Sequence, residues 1–240
     1  MEQDGQRIER NRGTPQGGVV SPILSNLFLH YAFDLWMERT YPDLPWCRYA
    51  DDGLVHCRSA QEAEAVKAAL QARLSECGLD MHPTKTRIVY CKDGKRKGRY
   101  PNVTFDFLGY QFRPRMVQKA QDGSLFCSFV PAVSPSALKS MRKAVRELNI
   151  AQRTHLSLAD IAAKLNPLLR GWIGYYGRYA PSQLEPMLRH VNLTLRRWVM
   201  RKFKRFATRK VAAARFLERL VKTRADLFVH WKLGMIGAFA

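Results

Sequence analysis

Negative charge is scarce in this sequence. Its 240 residues carry 20 Asp+Glu against 40 Lys+Arg, a formal net charge of +20 with a pI near 10.2. Cysteine is scarce too: Cys47, Cys57, Cys77, Cys91 and Cys127 are odd in number, scattered, and form no CxxC pair. That spacing argues against a disulfide framework and against a four-cysteine zinc site. The six histidines, His30, His56, His82, His155, His190 and His230, show no ligand spacing either. No apolar run approaches the ~18 residues of a membrane span, and no internal repeat or low-complexity run is present. The polar start, Met1 to Arg10, lacks the pattern of a secretory signal. A reducing cytoplasm is the simplest expectation. The hydrophobic fraction of 46% is high enough for a packed core and argues against disorder.

The positive charge is unevenly placed. Residues 136–240 hold 22 Lys+Arg against 5 Asp+Glu, whereas residues 1–135 hold 18 against 15. The first part has the balance of an ordinary globular domain. The second is the footprint of a polyanionic partner. Nucleic acid is the expected one, with an anionic membrane surface as the lesser alternative.

Residues 12–18, RGTPQGG, form a loop by glycine and proline content. Residues 21–39 are expected to be a helix, capped by Ser21 with Pro22 in its first turn. Its apolar stripe is Leu24, Leu27, Phe28, Tyr31, Leu35 and Trp36. Residues 46–57, WCRYADDGLVHC, predict a hairpin turning at Asp51-Asp52-Gly53, because Asp-Gly is a tight-turn signal. A second helix over 60–77 ends at Gly78. Residues 85–91 and 105–112 are strand candidates. Residues 114–135, with Pro114, Gly123, Pro131 and Pro135, are expected to be irregular. Beyond them, helices are expected at 135–149, 157–179, 182–208 and 210–222.

Tyr49-Ala50-Asp51-Asp52 is the chemical centre. Two adjacent carboxylates between apolar strands are unfavourable unless a cation binds them, and Mg2+ prefers carboxylate oxygen. Alternation along a strand points neighbouring side chains to opposite faces, so both reach one cation only at a distorted turn. A solvated hairpin turn accounts equally for these four residues taken alone. Gly17-Gly18 before a helix likewise fits an ordinary loop as well as a close backbone approach to a base pair. Trp172, Tyr175, Tyr176 and Tyr179, with Arg170 and Arg178 among them, fit a core stripe or a stacking surface. In residues 196–210, Trp198, Val199, Phe203 and Phe206 mark a buried face. Arg197, Arg201, Lys202, Lys204, Arg205, Arg209 and Lys210 occupy the remainder, a polybasic face suited to phosphates.

In combination these blocks are far more specific. RGTPQGGVVSPILSNLFL, then RYADD, HPTKTRIV and FDFLGY resemble, in order and spacing, the reverse transcriptases of group II introns and their bacterial branch. LNPLLRGWIGYYGRY and RRWVMRKFKRF resemble the maturase-specific, or thumb, domain of the same family. The resemblance implies that Asp51 is a metal ligand and that Asp52 supports the metals less directly. Tyr49 packs beneath the primer end, and Pro15, Gln16 and Gly17 lie against template and incoming nucleotide. Lys85 faces the triphosphate and can protonate leaving pyrophosphate; a plain surface lysine is the alternative. Phe107, Leu108 and Gly109, with Tyr110, match the primer grip, although their aromatic residues fit a core equally well.

The implied cofactor is Mg2+ in a two-metal site. The implied partners are group II intron RNA, primer–template and dNTP, in a bacterial cytoplasm, with no membrane; oligomeric state is not legible. Such a site needs a third carboxylate on an earlier strand. Asp4 is too near the loop and Asp34 lies within a helix, and the fingers are missing, so an N-terminally truncated chain with doubtful catalysis of its own is expected. The expected fold is α+β: the C-terminal part of a polymerase palm, antiparallel strands with two helices, over 1–113, a linker over 114–133, and a helical thumb or maturase domain over 134–240. The expected function is RNA-directed DNA polymerase with maturase activity. The alternatives are a non-catalytic fragment that assists intron folding and splicing, and a retron-like reverse transcriptase, against which the RGWIGYYGRY block argues.

Overall fold

The computed structural model describes residues 17–96, 98–119, 121–234 and 239, and the backbone of residues 2, 3, 6 and 7. Backbone contacts divide the chain into two compact units, Met1–Tyr90 and Cys91–Ala240.

In the first unit, β1 (Glu2–Gln3) pairs antiparallel with β2 (Gln6–Arg7). Helix α1 (Ser21–Leu29) passes through a π-turn at His30–Asp34 into α2 (Leu35–Thr40). Ser21 is the first helical residue and not the cap: the N-cap is Val20, and no side chain caps the helix. The hairpin of β3 (Trp46–Tyr49) and β4 (Asp52–Val55) follows, then α3 (Ala60–Glu76). Helix α3 starts where the Ser59 hydroxyl accepts from the Glu62 N–H at 3.0 Å. It stops where Gly78, at φ +71°, donates to the Ser75 carbonyl and Leu79 donates to Leu74.

The apolar stripe read from residues 24–36 is not the buried one. Ala32, Phe33 and Met37 are buried, with Leu44 and Val66, while Leu24, Leu27, Phe28 and Tyr31 are about half exposed. Helix α1 buries none of its residues. Burial begins in the π-turn, whose Leu35 N–H bonds the His30 carbonyl five residues back and takes the helix off the 3.6-residue count from there on. The exposed stripe borders a groove of about 410 Å³ that also touches Arg73 and Cys77.

The second unit opens with a three-stranded antiparallel sheet, β5 (Phe105–Phe107), β6 (Tyr110–Gln118) and β7 (Leu125–Val133), in that order. The segment expected to be irregular is therefore strand. Its prolines are tolerated because each sits where a strand has a single neighbour: Pro131 lies on edge strand β7, and Pro114 lies beyond the end of β5, which pairs only with residues up to Phe112. Conversely, residues 85–91 form no strand.

Helix α4 (Pro135–Glu147) is capped by Ser134, and α5 (Leu158–Tyr176) by a capping box between Ser157 and Asp160. Helix α6 (Glu185–Lys202) ends six residues earlier than expected. A bend at Phe203 and a 3₁₀ turn, Lys204–Phe206, lead to α7 (Lys210–Thr223) and the short α8 (Val229–Lys232). One core joins them, including Leu165, Leu169, Leu195, Trp198 and Phe228, all essentially buried. Burying a leucine stabilises by about 1.5–3 kcal/mol, whereas exposed pairs such as Lys143–Glu147 give about 0–1 kcal/mol. Packing, not ion pairing, therefore holds this unit.

Within that core lies a closed polar cluster. The indole of Trp231 donates to Asn192 Oδ1 at 3.0 Å, and His230 Nε2 lies 2.8 Å from the same atom. An indole N–H only donates, so that atom is oxygen and His230 carries its proton on Nε2. The other ring nitrogen, Nδ1, is buried without a partner. Burial pushes the His230 imidazole down to about 3. An unfolded histidine titrates near ~6.5, so as pH falls the unfolded chain takes up this proton first. The contribution is whole above about pH 6.5 and declines by about 1.4 kcal/mol per pH unit below it. His230→Gln should therefore flatten the loss of stability between pH 6.5 and 5, read by urea unfolding; an unchanged pH slope would assign that loss to another group.

Candidate functional site

The β3–β4 hairpin turns at Ala50-Asp51, not at Asp51-Asp52-Gly53. Tyr49 pairs with Asp52 and Arg48 with Gly53, so the Asp-Gly pair lies inside the ladder. The turn is made possible by Ala50 at φ +53°, an unfavourable conformation for a residue with a Cβ. Gly53 faces Phe33, whose Cζ would lie 3.5 Å from an added Cβ.

Arg48 fastens this hairpin to the helix. Its Nε and one terminal nitrogen each donate to Asp34 at 2.6 Å, and the other reaches Asn26 Oδ1 at 3.0 Å and the Ala50 carbonyl at 2.7 Å. Both side chains are largely shielded from water. The Arg48 hydrogen bonds hold the Asp34 carboxyl below the usual carboxylate range, against burial acting the other way. The turn carbonyl, the helix carboxylate and the strand are thereby tied to one planar fork. The sequence carried no signal for this pair, 14 residues apart.

Directly opposed residues share a face. Tyr49 and Asp52 therefore project together, opposite Arg48 and Gly53. Tyr49, Asp51 and Asp52 are exposed, and neither aspartate carboxylate has a hydrogen bond or ion pair among the described residues. Two free carboxylates at a turn match the oxygen donors a hard divalent cation takes. No group of three or more potential metal ligands gathers among the described residues; Asp34 is engaged by Arg48.

Lys85 lies exposed in a turn. The turn is shaped by His82, whose Nδ1 accepts from the N–H groups of Thr84 at 3.3 Å and Lys85 at 3.4 Å. The lysine makes no bond to the hairpin among the described residues. Gly17 adopts φ +85° with nothing within 4 Å of an added Cβ, so backbone conformation, not crowding, calls for glycine. Pro15 and Gln16 lie outside the described residues.

Phe107 and Tyr110 pair across a two-residue turn made by Leu108 at φ +51° and Gly109 at φ +77°. FDFLGYQF is thus two strands and a turn, not one strand. Helix α5 holds the turn: the Tyr175 hydroxyl donates to the Leu108 carbonyl at 2.9 Å, and the Tyr110 hydroxyl donates to the Tyr175 carbonyl. Tyr110 is ringed by Tyr175, Tyr176 and Tyr179 at 5.2–5.6 Å. Burial, then the neighbouring tyrosines, push the Tyr110 hydroxyl up. The aromatic stripe is accordingly both things the sequence allowed: its inner face packs, while Tyr175 and Tyr179 remain about half exposed.

Trp198 and Phe206 are buried as their spacing implies. Arg197, Arg201, Lys204, Arg209 and Lys210 are exposed, without an ion pair among the described residues. Two members of the expected basic face behave differently. Lys202 donates to the Leu156 carbonyl and lies 5.0 Å over Trp198. Arg205 lies 4.7 Å over Phe206 and near Phe203 and Phe216. Nearby, burial and then Arg142, Arg197 and Arg146 depress His190, which marks a cluster of like charge without a carboxylate.

Comparison with known families matches both halves. The model for reverse transcriptase (RNA-dependent DNA polymerase) matches residues 1–112, and that for the group II intron maturase-specific domain matches residues 138–216. Among individual proteins, Protein YkfC of Escherichia coli (strain K12) is 26% identical over 134 residues. That match covers 42% of this chain and 32% of YkfC.

The tyrosine contacts around Gly109 generate a prediction. A Cβ on Gly109 would meet the Tyr176 hydroxyl oxygen at 2.5 Å, and a left-handed alanine costs about 1–2 kcal/mol before any clash. Gly109→Ala should destabilise by more than that alone. Adding Tyr176→Phe should return the steric part and leave the backbone part. Urea unfolding of the four proteins measures it; strictly additive effects would show that Tyr176 does not crowd the turn.

Proposed function

The chain belongs to the group II intron reverse transcriptases and maturases, and from that membership we propose that it serves RNA-directed DNA synthesis on primer–template while binding structured intron RNA. The observation that carries the polymerase part is the pair of unpartnered carboxylates, Asp51 and Asp52, at the tip of a hairpin whose opposite face is locked by Arg48. Residues 1–113 are assigned to the palm and 134–240 to the maturase domain, with 114–133 between them.

In this reading Asp51, supported by Asp52, holds Mg2+. Mg2+ held there would supply two-metal chemistry, one ion activating the primer 3′-hydroxyl and the other steadying the dNTP triphosphate. Tyr49 shares a face with Asp52 and supports the primer end. Lys85 is free to reach the triphosphate and protonate departing pyrophosphate. Gly17, after Pro15 and Gln16, brings backbone against template and nucleotide, while Phe107, Leu108 and Gly109 grip the primer. The exposed cations Arg197, Arg201, Lys204, Arg209 and Lys210 take RNA phosphates. Lys202 and Arg205 present part of their charge while bonded to the fold. The described residues include no helix long and apolar enough to cross a membrane, and all five cysteines are free, which fits a bacterial cytoplasm.

A second reading is a non-catalytic maturase that assists intron folding and splicing. The engagement of Asp34 by Arg48 favours it, since that carboxylate cannot complete a two-metal set. Primer extension on an RNA template with Mg2+ separates the two. The 240-residue chain alone should extend a primer poorly, and Asp51→Asn should remove whatever extension remains while leaving RNA affinity unchanged. Loss of RNA binding by a folded Asp51→Asn protein would make the hairpin an RNA contact instead.

The basic surface is tested separately. Arg201→Gln, Lys204→Gln and Arg209→Gln together avoid the cations bonded to carbonyls and rings. If each meets a phosphate, the salt dependence of RNA affinity should flatten by about 2–3 in logarithmic slope. Intron and unrelated RNA should weaken about equally, because phosphates carry no sequence information. An unchanged slope would show this face to be merely solvated.

A further inference from the structure

We propose that Arg113 and Arg115, adjacent on one face of β6, form a phosphate-binding step for the primer strand of a primer–template duplex. The inference rests on the polymerase reading, because β6 is the strand that leaves the Leu108–Gly109 turn.

Strand alternation divides β6 cleanly. Tyr110 and Phe112 share one face, where Phe112 stacks on Phe105 at 4.7 Å. Gln111, Arg113 and Arg115 share the other, with their Cα atoms about 6.7 Å apart for each step of two residues. The residues directly opposite Arg113 and Arg115 are Val130 and Ser128, so neither arginine directly faces a counter-charge. Asp106, opposite Gln111 on the same face, makes no ion pair among the described residues.

Arg115 is half-buried, and its Nε is shut off from water without a hydrogen-bond partner among the described residues. A long 3.4 Å bond from a terminal nitrogen to Gln183 Oε1 is its tie to the fold. Burial, and then the charge of Arg113, act against its positive form. A guanidinium cannot shed its proton near neutrality. The unfavourable charge therefore stays in place until an anion arrives. Phosphate, like carboxylate, matches a planar fork, and two forks in a row match the repeating phosphates of a backbone better than a single small ion. The same strand begins at the turn held by Tyr175, so a primer end gripped there would run its phosphodiesters along this face.

The test is a binding titration of the full chain at several salt concentrations. One probe is an RNA-template/DNA-primer duplex; the other is an RNA hairpin with no recessed 3′ end. Arg113 is exposed, so Arg113→Gln keeps the fold. It should lower the logarithmic salt slope for the duplex by about 0.7–0.9 and leave the hairpin unaffected. Arg115→Gln should do the same, whereas Arg115→Lys should keep the slope and still bind the duplex more weakly, because the fork is lost. If Arg115→Gln fails to fold, Arg113→Gln decides. An unchanged duplex slope overturns the proposal while leaving the polymerase reading intact. Equal losses on both probes overturn the primer assignment. A wild-type chain that binds the hairpin and not the duplex overturns both.

Discussion

The constraint on which this structure depends is the shortage of negative charge. Forty cations share twenty carboxylates, and the fold disposes of the remainder in three ways. Some guanidinium and ammonium groups bond backbone carbonyls, as Arg196 does to Phe239 at 2.6 Å and Lys202 does to Leu156. Some lie over rings, as Arg205 does over Phe206. Others among the described residues stand exposed or, like Arg115, half out of water. None of these arrangements cancels charge. A polyanion does, and the maturase half carries most of the excess.

Against that background the Arg48–Asp34 pair differs from the exposed ion pairs, a shielded carboxylate committed to one arginine through two short bonds. Its effect is positional. By tying the Ala50 carbonyl and the helix to the same guanidinium, it fixes a strained turn and leaves the two carboxylates at its tip without a partner among the described residues. The turn in the second unit follows a related logic. Leu108 and Gly109 both take left-handed backbone, and the hydroxyl of Tyr175 on α5 stabilises the exposed carbonyl. In the first unit the strand residue Arg48 bonds both the turn carbonyl and a helix carboxylate; in the second, Tyr175 of α5 bonds the turn carbonyl directly.

Much of the fold was legible in local sequence. Gly78 ends α3 as its sequence implied, whereas Ser21, read as a cap, is the first helical residue, and the caps Ser59, Ser134 and Ser157 were not singled out. Trp198 and Phe206 were correctly read as buried from their spacing. What failed was non-local. Pro114 and Pro131 looked like breaks, yet each occupies a strand position with an empty side. The apolar stripe counted at 3.6 residues per turn runs along α1, which buries none of it, and into a π-turn that does not keep that count. The helix expected to run through 208 breaks at Phe203, where the ring turns inward against Trp198 and Phe206. In the candidate site, the Asp-Asp pair was found by pattern and its turn misplaced by two residues. Arg48, Arg113 and Arg115 were missed because only the register reveals what lies beside them.

The account stands on charge left for a nucleic acid to neutralise. The most direct measurement is the salt dependence of wild-type affinity for structured RNA. With about 6–10 phosphates engaged, a plot of log affinity against log salt should fall with a slope of about −4 to −9, the shallower values applying where the RNA is single-stranded. A slope near zero would show that the excess positive charge is not what holds the RNA, and would contradict the account.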